Sequence, residues 1–232
     1  MDSPDKPPFT ATLVGAGGVA SYFLPVFLKT FDITQLTIFD KDILETHNLD
    51  RQHFNPKHVG KSKAASLMST IKGFLGGHYP NRVTIKERYF LEGEDIENSD
   101  IIICMADNHP ARLACLRTAD EYDIECFIAC NEYYDSMAYF YKPGFTEDPR
   151  LRYPEILTST EGDPIRCTGD ALESTPQLAI ANMSSAAKVL ELMWTHLVVM
   201  PQLQDDIYTV PYELESRMAG SFCKQLTNKY NV

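Results

Sequence analysis

Basic charge is scarce in this chain: 21 Lys and Arg face 32 Asp and Glu, for a formal net charge of -11. Proteins bind nucleic-acid backbones through clustered cations, so no nucleic-acid partner is expected. No apolar run reaches the roughly 18 residues that a membrane-spanning helix needs, and no membrane association is expected either. Met1 to Thr10 is polar, carries three prolines and has no basic and apolar signal pattern, so the expectation is a cytoplasmic protein. There are only six cysteines and no Cys-x-x-Cys pair; Cys126 and Cys130 are four apart inside an apolar segment, and structural zinc is not expected. Cys104, Cys115, Cys126 and Cys130 lie in or beside apolar segments and read as reduced core thiols rather than a disulfide framework.

The 232 residues, 44% of them hydrophobic, suffice for one large α/β domain over residues 1–232. Thr10 to Val14 predicts a strand, Gly15-Ala-Gly-Gly18 a tight turn, and Ala20 to Thr30 a helix with apolar residues at Phe23, Leu24, Phe27 and Leu28. Leu36 to Phe39 is a second strand ending at Asp40. Lys61 to Leu75 then reads as a helix, Arg82 to Arg88 as a strand, Asp100 to Cys104 as a strand buried on both faces, His109 to Tyr122 as a helix and Glu125 to Cys130 as another buried strand. The alternation predicts a Rossmann-like, doubly wound and mainly parallel sheet with helices on both faces. The pattern dissolves over 142–175, an irregular loop with Pro143, Pro149, Pro154 and Pro164, and returns as a long helix over Pro176 to Leu197. Tyr133, Tyr134 and Tyr139 to Tyr141 read as core and sheet-face aromatics.

Candidate site residues gather at the predicted strand ends. In Gly15-x-Gly17-Gly18-x-Ala20 the missing side chains let backbone N–H groups approach a polyphosphate, and the helix that follows adds a favourable field; a tight turn that binds nothing has the same sequence. Asp40, some 25 residues after Gly15, suits ribose hydroxyls, or caps a turn. Asp107, beyond a buried strand and opening a helix, suits a divalent cation, or caps that helix ahead of Asn108. His47, His53 and His58 follow no common metal-ligand spacing.

A longer series is more specific: Asp40-Lys-Asp42, Asn48-Leu-Asp-Arg51-Gln52, Gly60-Lys-Ser-Lys63-Ala64 and Ala106-Asp107-Asn108 with Arg112. In this order, after Gly-x-Gly-Gly, the motifs resemble the adenylation domain of ThiF, MoeB and the ubiquitin-activating enzymes from Thr10 to about Asn131, with a weaker match from Cys167 through the Pro176 helix. The resemblance implies a site for ATP and Mg²⁺. Its nucleotide-binding residues would be Gly15, Gly17, Gly18, Asp40, Asp42, Asn48, Arg51, Gln52, Lys63, Asp107 and Asn108. Arg51 and Lys63 would compensate charge when an anionic carboxylate meets an anionic triphosphate. Asn48 would position a phosphate or ribose oxygen, and Asp107 would hold the metal. Arg112 is expected to pack or pair with an acidic neighbour.

The implied reaction activates the C-terminal, Gly-Gly carboxylate of a small β-grasp protein, either a ubiquitin-like modifier or a sulfur carrier, and releases pyrophosphate. Cys167, beside Arg166 in the irregular loop, would accept the acyl group as a thioester or carry sulfur as a persulfide; an incidental loop thiol is the plain alternative. A homodimer is expected, but with Lys6 the only basic residue before the first strand, the arginine that such relatives often lend to a neighbouring subunit is not expected. A nicotinamide-dependent oxidoreductase on a Rossmann-like sheet and a catalytically silent scaffold for a β-grasp partner are the competing readings.

Overall fold

The computed structural model describes residues 8–75, 79–91, 96, 98–132, 135–158, 178–202 and 213–217. Its centre is a seven-stranded sheet built from β1 (Phe9–Val14), β2 (Ile33–Phe39), β3 (Arg82–Lys86), β4 (Ile101–Cys104), β5 (Glu125–Glu132), β6 (Asp135–Tyr141) and β7 (Glu213–Arg217). The spatial order is β3-β2-β1-β4-β5-β6-β7. The first five strands are parallel, and β6 and β7 add an antiparallel edge.

Unbroken aliphatic strands form here because both sheet faces are covered, and alternate side chains divide between two cores. Ala11 and Leu13 of β1, Ile101 and Ile103 of β4, and Phe127 and Ala129 of β5 join one apolar cluster. Val14, Ile102, Cys104, Cys126 and Ile128 join the other. Helices α1 (Gly18–Thr30), α2 (Lys63–Leu75) and α6 (Ala179–Trp194) bury residues in the first cluster, where Phe23 and Phe27 of α1 stack at 4.8 Å. Helix α3 (His109–Tyr122) covers the opposite face through Ala114, Cys115, Leu116 and Ala119. Cys104, Cys115, Cys126 and Cys130 are free thiols, the first three fully buried.

Most boundaries follow the sequence pattern, with particular departures. Helix α1 begins at Gly18 rather than Ala20, since it opens straight out of the glycine turn. Helix α2 begins at Lys63 rather than Lys61, because Lys61 takes part in a turn through the Leu44 amide and its own amide. Strand β3 ends at Lys86, where pairing with Phe39 stops. Strand β6 was not anticipated as a separate element; it pairs with β5 in the register Phe127 to Phe140 and buries Tyr139, Phe140 and Tyr141, while Tyr133 and Tyr134 lie outside the described residues. Within the irregular 142–175 span, Pro149–Arg152 forms the short helix α4 and Glu155–Thr158 the short helix α5. After α6 the chain passes into a π turn at Thr195–Val199. Among the described residues no helix is long and apolar enough to cross a membrane.

The consequence for function is positional. Strand β1 has β2 on one side and β4 on the other, so the chain winds outward in both directions from this point, and a crevice opens at the carboxyl ends of the strands.

Candidate active site

The crevice is a cavity of about 620 Å³, within the range that takes a small-molecule ligand. Its floor is the turn from β1 into α1. Gly15 has φ +93°, and a Cβ there would come within 2.7 Å of the Ala106 nitrogen, so both backbone conformation and close approach to the β4 loop demand glycine. A Cβ on Gly18 would run into the Asn182 side chain at 2.5 Å, whereas one on Gly17 would meet nothing within 4 Å. Gly17 is the N-cap of α1, no side chain caps that helix, and the residue faces the cavity. The first turn of α1 is therefore open to an anion.

Strand β2 delivers Asp40 to the same wall. One carboxylate oxygen accepts the Ala16 N–H at 2.7 Å and the other the Asp42 N–H at 2.7 Å, so Asp40 ties the glycine turn to the loop after β2. Burial pushes its pKa above the ordinary carboxylate value, with the two amides and the Lys63 charge opposing. Asp42 accepts an ion pair from Lys63 Nζ at 2.9 Å, the lysine side chain being 13% exposed and the aspartate 53%.

Asp107 lies at the end of β4, and a local reading made it a cap for α3. The cap is Asn108, whose Oδ1 accepts the Ala111 N–H at 2.9 Å. Asp107 itself lines the cavity. It is open to solvent there yet walled by protein, and this enclosure raises its pKa; its own amide, Arg112 and Lys63 pull the other way, and Asp42 adds to the rise. A carboxylate with a raised pKa at a cavity wall gains from a cation, and Asp107 fits Mg²⁺, which takes few protein ligands and completes its shell with phosphates and water.

Gly15, Gly17, Gly18, Asp40, Asp42, Gln52, Lys63, Asp107 and Asn108 all line this one cavity. Asn48 and Arg51 do not. Asn48 is 3% exposed, and its Oδ1 accepts the Glu45 N–H at 3.0 Å inside the turn Thr46–Asp50, so it supports the segment carrying Arg51 and Gln52. Arg51 donates from Nη1 to the His47 carbonyl at 2.9 Å and to Asp50 at 3.1 Å, while its buried Nε has no hydrogen-bond partner among the described residues. Gln52 Oε1 is likewise buried and unsatisfied. Gln52 belongs to the cavity wall, so its orphaned oxygen marks a place that a polar ligand would complete. Arg112 faces His109 Nδ1 at 3.5 Å and acts electrostatically on Asp107 and Cys104. Cys167 lies outside the described residues.

Several lining residues went unanticipated. Asn182 of α6 is 1% exposed, donates to the Arg51 carbonyl at 3.1 Å and accepts from Asn131 of β5 at 2.9 Å. Its signal was a lone amide on an apolar helix. On the far wall Arg88 to Leu91, following β3, meet Phe39 and Lys41, with Lys41 Nζ 3.9 Å from the Tyr89 ring centroid.

A model of the ThiF family matches residues 9–197. The chain belongs to the ThiF family. Ubiquitin-like modifier-activating enzyme 5 of Xenopus laevis is 30% identical over 118 residues, covering 46% of this chain and 30% of that protein. The enzyme of the same name from Oryza sativa is 26% identical over 126 residues, with 49% and 30% covered. The chain thus spans about a third of the length of these curated ThiF-like relatives. Among solved structures, PaaA superposes with a TM-score of 0.64 at 17% identity, covering 91% of this chain and 61% of PaaA. MccB of E. coli, solved with ATP, gives 0.60 at 17% identity, with 82% and 55% covered. At these identities the structural likeness establishes the ThiF-type fold.

Proposed function

We propose that this chain adenylates the C-terminal carboxylate of a small partner protein, with ATP as the second substrate and Mg²⁺ as the metal. The observation that carries the proposal is the gathering of Gly17, Asp40, Lys63 and Asp107 around one cavity at the switch point of the sheet. Asp40 serves the ribose end, the open first turn of α1 serves the phosphates, and Lys63 supplies positive charge between them. Mg²⁺, held at Asp107, would neutralise phosphate oxygens. In the reaction a carboxylate oxygen attacks the α-phosphorus, the bond to the bridging oxygen breaks, and pyrophosphate leaves. The barrier is chiefly electrostatic, since two anions must meet; Lys63 at the cavity is assigned to offset it, and Arg51 would add its charge only by swinging in from its contacts with His47 and Asp50.

The finer reading is a β-grasp partner, modifier or sulfur carrier, ending in Gly-Gly, whose unbranched tail can thread a narrow passage. A homodimer and the transfer of the acyl group to Cys167 belong to the same reading. ATP–pyrophosphate exchange with small Gly-Gly-terminated proteins tests it. Exchange should depend on partner and Mg²⁺, and Lys63→Ala or Arg51→Ala should slow it on the order of 10² to 10³-fold. Cys167→Ala should spare exchange and abolish any reducible covalent intermediate. Exchange of wild-type magnitude in both cation variants would remove those residues from the chemistry.

A further inference from the structure

The Asn131–Asn182 pair has no part in the nucleotide scheme, yet both residues line the cavity. Its polarity is fixed by chemistry. The Arg51 carbonyl can only accept, so Asn182 must present Nδ2 to it, at 3.1 Å. Asn182 must then turn Oδ1 toward Asn131, which donates from Nδ2 at 2.9 Å. The relay leaves Asn131 with Oδ1 as an acceptor to which no described residue donates, on a half-buried residue of the cavity wall.

Position narrows the ligand. Asp40 occupies the β2 end of the crevice and the α1 turn its middle, while Asn131 is the penultimate residue of β5, two strands beyond β1 on the other side. Asn182 packs directly against Gly18, so the amide pair begins at the mouth of α1 and extends away from the ribose end. An incoming acyl group has this side left to it. An acceptor oxygen repels carboxylate and phosphate oxygens and seeks a donor, and the donor nearest a peptide's C-terminal carboxylate is the N–H of its last residue.

We propose that Asn131 Oδ1, oriented through Asn182 by the Arg51 carbonyl, accepts the main-chain N–H of the substrate's last residue, which makes the substrate class a peptide carboxylate with an intact terminal amide. The proposal rests on the adenylation reading. Asn131 is a specificity residue in it and Asn182 a positioning residue. Proline or an ester at the last linkage removes the donor, while a glycine, or any other residue with a free N–H, keeps it.

The test is a cycle between enzyme and substrate by ATP–pyrophosphate exchange on the full chain. The probes are a synthetic ten-residue peptide ending in Gly-Gly and its counterpart with glycolic acid in place of the last glycine. The wild-type chain should use the ester with a kcat/KM about five- to ten-fold lower, the loss of one hydrogen bond. In Asn131→Ala, and in Asn131→Thr as a variant that keeps strand propensity, the amide peptide should suffer that same loss with half-saturation by ATP unmoved, and the amide-to-ester ratio should collapse toward one. Asn182→Leu should reduce the ratio in the same way. Equal use of both peptides by the wild-type chain, or an unchanged ratio in the Asn131 variants, overturns the assignment while leaving adenylation standing. No exchange with either peptide, under conditions where ATP binds, overturns the assignment of the cavity to a bare peptide carboxylate and leaves adenylation to the exchange test with whole Gly-Gly-terminated proteins.

Discussion

Gly15 and Gly17 are two residues apart and serve different ends. At Gly15 a positive φ and a backbone atom 2.7 Å from the would-be Cβ leave no room to relax. Gly15→Ala should therefore cost at least about 2 kcal/mol of stability in chemical denaturation. Gly17 faces open space, so Gly17→Ala should keep the fold within about 1 kcal/mol while weakening ATP binding, because its methyl enters the volume the phosphates need. Equal losses of stability in the two variants would contradict this division. Asp107 carries the opposite tension. Protein walls around its solvent-open carboxylate hold the folded pKa above the unfolded value, so ionising it costs some stability at neutral pH, reduced by solvent screening, and the cost fades as pH falls through the folded pKa toward the unfolded one. Asp107→Asn should thus raise the melting temperature of the ligand-free chain near pH 7, with a gain that shrinks toward pH 4, and should abolish Mg²⁺-dependent exchange. A gain that grows on acidification has the wrong sign and would reject the walled-in charge as its cause.

At the scale of elements, the same balance appears away from the site. Helix α3 ends on Asp123, which takes a left-handed conformation at φ 52° and donates its N–H to the Ala119 carbonyl. Glycine adopts this conformation without the Cβ penalty, so Asp123→Gly should stabilise the chain by about 0.5 kcal/mol in denaturant titration, with exchange activity intact. The parallel half of the sheet was legible in the sequence because β4 and the 126–130 stretch of β5 are continuous apolar runs, and β1 is small and β-branched, with alternate residues feeding two cores. The edge was not. Strand β6 joins polar Asp135 and Ser136 to aromatic Tyr139 to Tyr141, and its burial depends on β5 and α6 rather than on a pattern of its own. The site divides likewise. Glycines and acidic residues at strand ends announced themselves, because few residue types can serve there. Asn108 displaced Asp107 as the cap only through loop geometry, and Asn131 and Asn182 meet across 51 positions of sequence, which no local pattern encodes.

For the whole molecule, the question is whether this cavity takes ATP with Mg²⁺ or a nicotinamide dinucleotide, since the doubly wound sheet accommodates either. The side chains decide it. A ligand bound only to the folded state stabilises that state by RT ln(1 + [L]/Kd), about 2.7 kcal/mol when the ligand stands at 100 times Kd. For a chain of this size that corresponds to a rise of roughly 5–10 °C in melting temperature. Mg·ATP should produce such a shift, and NAD should not. Lys63 forms its ion pair with Asp42 at the cavity and contributes favourable charge at Asp40 and Asp107, so Lys63→Ala should cut the Mg·ATP shift by more than half. EDTA should cut it to a similar extent in the wild-type chain, because the enclosed Asp107 carboxylate repels the triphosphate once no cation lies between them. An NAD shift as large as that of ATP, insensitive to EDTA and to Lys63→Ala, would return the cavity to hydride-transfer chemistry.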